Sequence, residues 1–532
     1  MSQLTRVIPA SETADFNGLL RLITQSGSHP LDVSHVAAML ELNGFTDRRA
    51  ATLGYDDVFD LAAALFHSIS ADNRREEVLD EEKDPWFKRL FRIFRLYLRG
   101  LSFAAPMILS SASVLALRYS LWSYIDFSTE IATAIALATF GSFLVTGGFT
   151  QAIARRGLFY ITQDQYKLAR LATFRLVMVG VAAIAVFIVG MGLFVAVVPI
   201  LTWGIVGVTY LYFVPMAFIW LGTGLLYMLH WEPVILGLIA VGIFLVYVLF
   251  ERFHVPMMVA QAVTMTVVAA GSFGLAVVLF RNLEHKNVSE TEQKIRMRWS
   301  QTSRSLMPFF VYGVAYFALN FADRLMAWSR PEEFHPYFIW FRGDYELGLD
   351  WALWSLFVPM GLVEIYVVSL FDRLKKRGKH TNVANLPKFN RGFQVFHLRT
   401  IVFVLLGGLA GIPAILWLVK FLFGHGWLVF NPMLNQVTNF TFFVAAPSFS
   451  ILATGLQGAL VLFSFNEPWM ATRAAGWALL ANVLVGFLAS RYVAYWWAVL
   501  GLAVGAIVFA TLTTRQALHV LGRLDYYMMR GT

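Results

Sequence analysis

Cysteine is absent from the 532-residue chain. Disulfide frameworks, cysteine-ligated zinc, iron–sulfur clusters and thiolate nucleophiles are therefore excluded. Charge is scarce: Asp, Glu, Lys and Arg make up 14% of the residues, against about 25% in a typical soluble domain. So little charge cannot cover a chain that is 58% hydrophobic and 15% aromatic, with a mean hydropathy of +0.63. Such a surface calls for lipid. Two motifs are also missing: the glycine-rich loop ending in Gly-Lys-Ser/Thr that cradles nucleotide phosphates, and the His-Glu-x-x-His zinc pair. ATP-driven pumping and metalloprotease chemistry are disfavoured, and no cofactor or metal is expected. The first 84 residues lack the basic, apolar and small-residue order of a cleavable signal, so the amino terminus is expected to stay in the cytoplasm.

A helix crossing the hydrocarbon core needs about 20 mostly apolar residues. Twelve runs qualify: 101–124, 131–154, 172–198, 203–229, 233–250 and 257–280, then 305–328, 347–371, 400–423, 437–464, 468–490 and 493–514. In lipid only helices satisfy their own backbone, so an all-α polytopic membrane protein is predicted. The loops test the count. Basic residues number 27 on one side of the alternation and four (Arg252, Arg330, Arg342 and Arg491) on the other. Lys and Arg collect on cytoplasmic loops, so both termini are expected in the cytoplasm, as in a multi-pass protein of the cytoplasmic (inner) membrane. This asymmetry also explains the net charge of +9 without any nucleic-acid partner.

The pattern divides the chain into segments. Residues 1–84 form a small helical cytosolic segment, with helices over 31–43 and 56–69, Gly44 as a stop and Asp56 as an N-cap. A docking module for a cytosolic partner is the functional reading of this segment. Residues 85–99 place Lys88, Arg92, Arg95 and Arg99 on one stripe and Trp86, Phe87, Leu90, Phe91, Phe94 and Leu98 on the other. A basic amphipathic helix of this kind lies in the headgroup plane of the lipid bilayer. Residues 100–280 hold six spans, 281–304 a cytoplasmic linker, 305–514 six more spans and 515–532 a cytoplasmic tail. Six plus six indicates a two-lobed transporter.

Polar groups at membrane depth are costly and mark candidate substrate or ion sites. They are Arg118 in the first span, Asn320, Asp323 and Arg324 in the seventh, Glu364 in the eighth and Gln457 in the tenth. Asp323 and Arg324 suit an interhelical salt bridge or contact with an anionic sugar or coupling ion. Glu364, the deepest acid by position, suits either transport or pairing with an arginine. Pro106, Pro215, Pro308, Pro359, Pro413 and Pro447 offer kinks. The largest outer loop, 329–346, carries Tyr337, Trp340 and Tyr345 among charges; these aromatics suit either glycan stacking or an interfacial belt.

The stretch from Pro308 to Trp328, PFFVYGVAYFALNFADRLMAW, resembles the seventh span of the membrane subunit of the Pel exopolysaccharide exporter. That family belongs to the multidrug/oligosaccharidyl-lipid/polysaccharide (MOP) exporter superfamily. Tyr312, Gly313, Ala315, Tyr316, Asp323, Arg324 and Trp328 carry the resemblance. Gly147–Tyr166, GGFTQAIARRGLFYITQDQY, and Pro359-Met360-Gly361 are similar to further stretches of the family. The family's opening Ser-Gly-Pro-Trp is replaced by LSFAAPMILSS, and its late acid in the eighth span has no counterpart, Glu364 lying earlier. The resemblance implies a MOP flippase-like fold of about 12 helices in two six-helix lobes. It also implies outward movement of a glycan or lipid-linked glycan through a central cavity by alternating access, without enzymatic activity. A glycosyltransferase or other biosynthetic protein would be the cytosolic partner. The rival readings are an integral-membrane glycosyltransferase or polymer ligase, and a secondary transporter of small solutes.

Overall fold

A computed structural model describes residues 18–20, 23, 33–69, 86–102, 104–286, 299–331, 338–378, 385–429 and 435–531. No strand occurs among them. Among the described residues eleven helices are long and apolar enough to cross a membrane, and a twelfth span exists if the bent pair Trp86–Leu101 and Ala105–Leu117 counts as one. The chain is an all-helical, multi-pass membrane protein.

The chain divides into two compact units. The first comprises Met1–Arg95, Val368–Phe396 and Leu521–Asp525. Its amino-terminal part contains α1 (Val33–Leu42), α2 (Asp47–Thr52) and α3 (Val58–Ile69), closed around Leu19, Ile23, Val36, Leu40, Phe45, Leu61 and Leu65. Gly44 stops α1 as expected, taking a φ of 80° that favours glycine. The cap of α3 is Asp57 rather than Asp56: its carboxylate accepts the Asp60 N–H at 2.7 Å. The α2 helix has no counterpart among the expected elements; its six residues are too short for a periodic signal.

The second unit holds Leu96–Val367, His397–Val520 and Tyr526–Thr532. Its helices run α4 (Trp86–Leu101, shared with the first unit), α5 (Ala105–Leu117), α6 (Thr129–Ile161), α7 (Tyr166–Val197), α8 (Trp203–Met228), α9 (Glu232–Tyr247, continued as a π-turn to Arg252) and α10 (Met257–Lys286). Then follow α11 (Trp299–Trp328), α12 (Gly343–Ala352), α13 (Phe357–Gly378), α14 (Leu386–Gly424), α15 (Gln436–Ser464), α16 (Pro468–Tyr492), α17 (Val499–Leu521) and α18 (Leu524–Gly531).

The first span departs most from expectation. The run 101–124 predicts one helix, but α5 ends at Leu117, and its 13 residues reach only about 20 Å. Arg118 follows in the left-handed region, φ 72°, so it caps the helix instead of lying within it. The chain then folds back, burying Tyr119, Leu121 and Trp122 in the first lobe. Non-helical backbone at this depth needs partners from protein. Gln261 supplies them: its amide donates to the carbonyls of Ser120 and Ser123, both at 3.0 Å, and its own carbonyl accepts Tyr212 Oη at 2.6 Å.

The eighth span is also reorganised. Helix begins at Gly343, inside the expected loop 329–346, breaks into a 3-10 turn over Leu353–Leu356, and resumes as α13 to Gly378. The last apolar helix continues past 514 to Leu521. The basic residues on 373–399, expected in a loop, lie largely on helical extensions of α13 and α14.

The two lobes meet where side chains vanish. A Cβ on Gly147 would strike the ring of Phe317, one on Gly313 the backbone of Gly147, and one on Gly148 the ring of Phe310. These glycines let α6 and α11 approach closely, as small residues do in membrane bundles.

Candidate functional site: a cavity between the lobes

At the end of the bundle bearing loops 118–128 and 338–342, a cavity of about 590 Å³ opens between the lobes. The first lobe contributes Ser110, Ser111 and Arg118 from α5 and its cap, Trp122, Tyr124 and Phe127 from the folded-back loop, and Thr139 from α6. The second contributes Phe321, Arg324 and Trp328 from α11, Phe341, and Asp344, Glu346 and Asp350 from α12.

Charge pairing organises the walls. Arg324 forms an ion pair with Glu346 and a longer one, 3.6 Å, with Asp350. Glu346 and Asp350 are four residues apart on α12 and so share a face. The other oxygen of Glu346 accepts Trp328 Nε1 at 2.8 Å. Of the neighbours Asp323 and Arg324, Arg324 thus makes an interhelical ion pair, while Asp323 turns to a different partner. Asp323, wholly buried, accepts Tyr345 Oη at 2.6 Å, and its second oxygen has no hydrogen-bond partner among the described residues. Adjacent residues on a helix point about 100° apart, which is why the pair separates. Tyr345 is thereby buried against α11 and presents no ring for glycan stacking. Trp340 is half-buried, its backbone N–H donating to the Trp328 carbonyl at 3.0 Å, and Tyr337 lies outside the described residues.

On the opposite wall Arg118 donates to Asp126 at 2.5 Å. The guanidinium holds the Asp126 carboxyl below its ordinary range. Both groups are substantially exposed, so the arginine is held by a partner yet still reaches solvent in the cavity.

The remaining sequence candidates lie elsewhere. Asn320 spends its amide on the Tyr316 carbonyl one turn back, 2.8 Å away. Gln457 is wholly buried in the second lobe and donates to Thr400 Oγ1 at 2.8 Å, near a Tyr366–His397 hydrogen bond of 2.6 Å. Glu364, deepest by position, is less buried than Asp323, Glu232 or Glu346 and lies 3.4 Å from the Arg99 guanidinium. Sequence reasoning missed Asp126, Asp344 and Glu346, which sit in segments read as loops, and Asp350, at the edge of the eighth apolar run. The spacing of Glu346 and Asp350 was the available signal.

No protein-family model matches the chain, and no curated protein matches it significantly. Solved structures do. A MATE transporter in complex with MaL6 superposes with a TM-score of 0.54 at 12% identity, covering 82% of this chain and 96% of that one. The fold is that of the MOP transporters. A MOP superfamily transporter from Pyrococcus furiosus matches at 0.53 and 13% identity over 80% of this chain and 96% of that one. An outward-facing multidrug resistance MATE transporter of the MOP superfamily matches at 0.53 and 11%, over 81% and 96%. These likenesses reach the superfamily fold and stop short of the Pel branch. In that MOP fold the cavity described above lies between the two six-helix lobes.

Proposed function

We propose that the protein exports a glycan or lipid-linked glycan across the cytoplasmic membrane, by alternating access of the cavity between its lobes and without chemistry on the substrate. The carrying observation is the cavity lining. Its volume of about 590 Å³ falls in the range of small-molecule sites, roughly 300–1,000 Å³. Flat apolar rings (Trp122, Tyr124, Phe321, Trp328, Phe341) alternate with hydroxyls (Ser110, Ser111, Ser123, Thr139) and carboxylates. Rings take the C–H faces of a sugar, and hydroxyls and carboxylates take its O–H groups. Asp344, Glu346 and Asp350 oppose Arg118 and Arg324 on the walls, a balance that disfavours a polyanionic glycan and favours a neutral one.

The basic loop asymmetry orients the cavity outward in this conformation, with both termini cytoplasmic. The amino-terminal helical core would then face the cytosol, where a glycosyltransferase delivering the chain would dock.

Flipping of a labelled, uncharged lipid-linked oligosaccharide in vesicles containing the purified protein, with no glycosyl donor, tests the reading. Movement that Trp328→Ala lowers at least about tenfold is expected. Sugar transfer on adding donor, without flipping, would overturn it in favour of a transferase. Movement of small organic solutes alone would shift it to the small-solute class.

A further inference from the structure

The opposite end of the bundle from the cavity carries a charge cluster that the transport reading leaves unused. The α8–α9 hairpin turns at His230, whose φ of 60° is unusual for a side chain with a Cβ and persists only where surroundings demand it. Two residues later Glu232 begins α9, in the first lobe. On α13, in the second lobe, sits Glu364. Between them lies Arg99, near the end of α4. Its Nε is 3.3 Å from Glu232 Oε1 and 3.4 Å from Glu364 Oε1, and its Nη2 donates to His230 Nδ1 at 2.6 Å. One guanidinium therefore ties a carboxylate of each lobe.

The backbone around Arg99 is docked to both lobes as well. Toward the first, Tyr227 Oη donates to the Ser102 carbonyl at 2.9 Å. Toward the second, Tyr97 Oη donates to the Phe357 carbonyl at 3.1 Å. Gly100 meets Met360 and Gly361 with no room for a Cβ, and Gly361 in turn faces the ring of Tyr97. Arg155 of α6 adds a second cross-lobe bond at this end, 3.1 Å to Asn466 in the α15–α16 turn.

We infer that Arg99 is the latch of a gate at this end, holding the lobes together while the cavity at the far end is formed. Two carboxylates so close repel each other unless a cation lies between them. When the lobes part at this end, Arg99 can follow only one, and the other must be solvated alone. The docked end of α4 weights the choice: Tyr97 and Gly100 hold it to α13 at two places against the single Tyr227–Ser102 bond to the first lobe, so Glu232 and His230 are the partners released. The latch thus stabilises the closed state of this end and must open in every cycle. The inference rests on the alternating-access reading but not on the identity of the substrate.

The absence of cysteine makes a clean test possible, because cysteines introduced at Gln163 and Ser464 would be the only labelling sites. Both positions are exposed, one at each lobe's turn on this end. Spin-label distances are measured on the full chain in lipid nanodiscs, with no substrate present. The unaltered chain should show mainly the short distance. Arg99→Gln and Glu232→Gln should each raise the ratio of long to short distances roughly fivefold, the low end of couplings between linked sites. Arg99→Lys should restore most of the short population, which a merely misfolded variant would not do. Unchanged distributions in both Arg99→Gln and Glu232→Gln overturn the latch. If Arg99→Gln does not fold, Glu232→Gln alone decides, with the same two outcomes. Failure of glycan flipping with an intact distance response would sink the substrate proposal and leave the latch standing.

Discussion

Arg324 shows how a single residue can hold a site together in a low-dielectric setting. It is nearly buried and faces Glu346 and Asp350 across one helix face. Removing one partner of a buried pair strands the other charge, at a cost of about 3–5 kcal/mol. Arg324→Met should therefore lower the unfolding temperature in detergent far more than Asp350→Asn, whose carboxylate is half exposed. A second residue-scale prediction concerns Arg118 and Asp126. The Asp126 carboxyl lies below its ordinary value of 3.8 because the guanidinium favours its charged form. Its contribution is then fully present above pH 3.8 and fades as pH falls through the lower folded value. Comparing thermal stability with Asp126→Asn should give a constant difference from about pH 8 to pH 5. That difference should not exceed about 1 kcal/mol, since the pair is solvated, and should shrink only in stronger acid.

At the scale of elements, close packing and lipid contact dominate. Gly313 has the backbone of Gly147 against its open side, and backbone cannot swing away as a side chain can. Gly313→Leu should force α6 and α11 apart and destabilise the protein by about 1–3 kcal/mol or more, read as lost thermal stability and aggregation on extraction. The α4 helix presents Trp86, Phe87, Leu90, Phe91, Phe94 and Leu98 as exposed apolar side chains beside its basic stripe. Basic residues at an anionic surface are worth about 1 kcal/mol each. Replacing Lys88, Arg89, Arg92 and Arg95 by Gln should reduce anionic lipid co-purifying with the protein, measured by mass spectrometry of the extracted lipids. Equal retention would remove the headgroup-plane role of this helix.

For the whole molecule, helix number, the six-plus-six division and the membrane setting were legible in the sequence. The reason is simple: hydrophobic length and loop charge are local quantities, summed along the chain. The resemblance around Pro308–Trp328 pointed to the superfamily whose fold the molecule has. The candidate residues were legible only in part. Arg118, Arg324 and Asp323 stood out as charges in apolar runs, and the first two do line the cavity. Glu346 did not, because the start of α12 hides in an aromatic, charged stretch that scans as a loop, and Asp350 sits at the edge of the eighth apolar run. Arg99 looked like one more residue of the basic stripe on 85–99, and Glu232 falls in the short turn between the runs 203–229 and 233–250.

The absence of cysteine and the shortage of charge excluded whole chemistries before any helix was placed, and the apolar runs set the number and order of the spans. These followed from composition because the bilayer tests each segment by itself. Which charges meet was decided by tertiary structure alone. Arg324 finds Glu346, Asp323 finds Tyr345, and Arg99 gathers Glu232 and Glu364 from opposite lobes. Partners on different helices, 22 residues apart in the first two pairs and more than a hundred in the last, have no local signature. Only the packing of helices against one another brings them within reach.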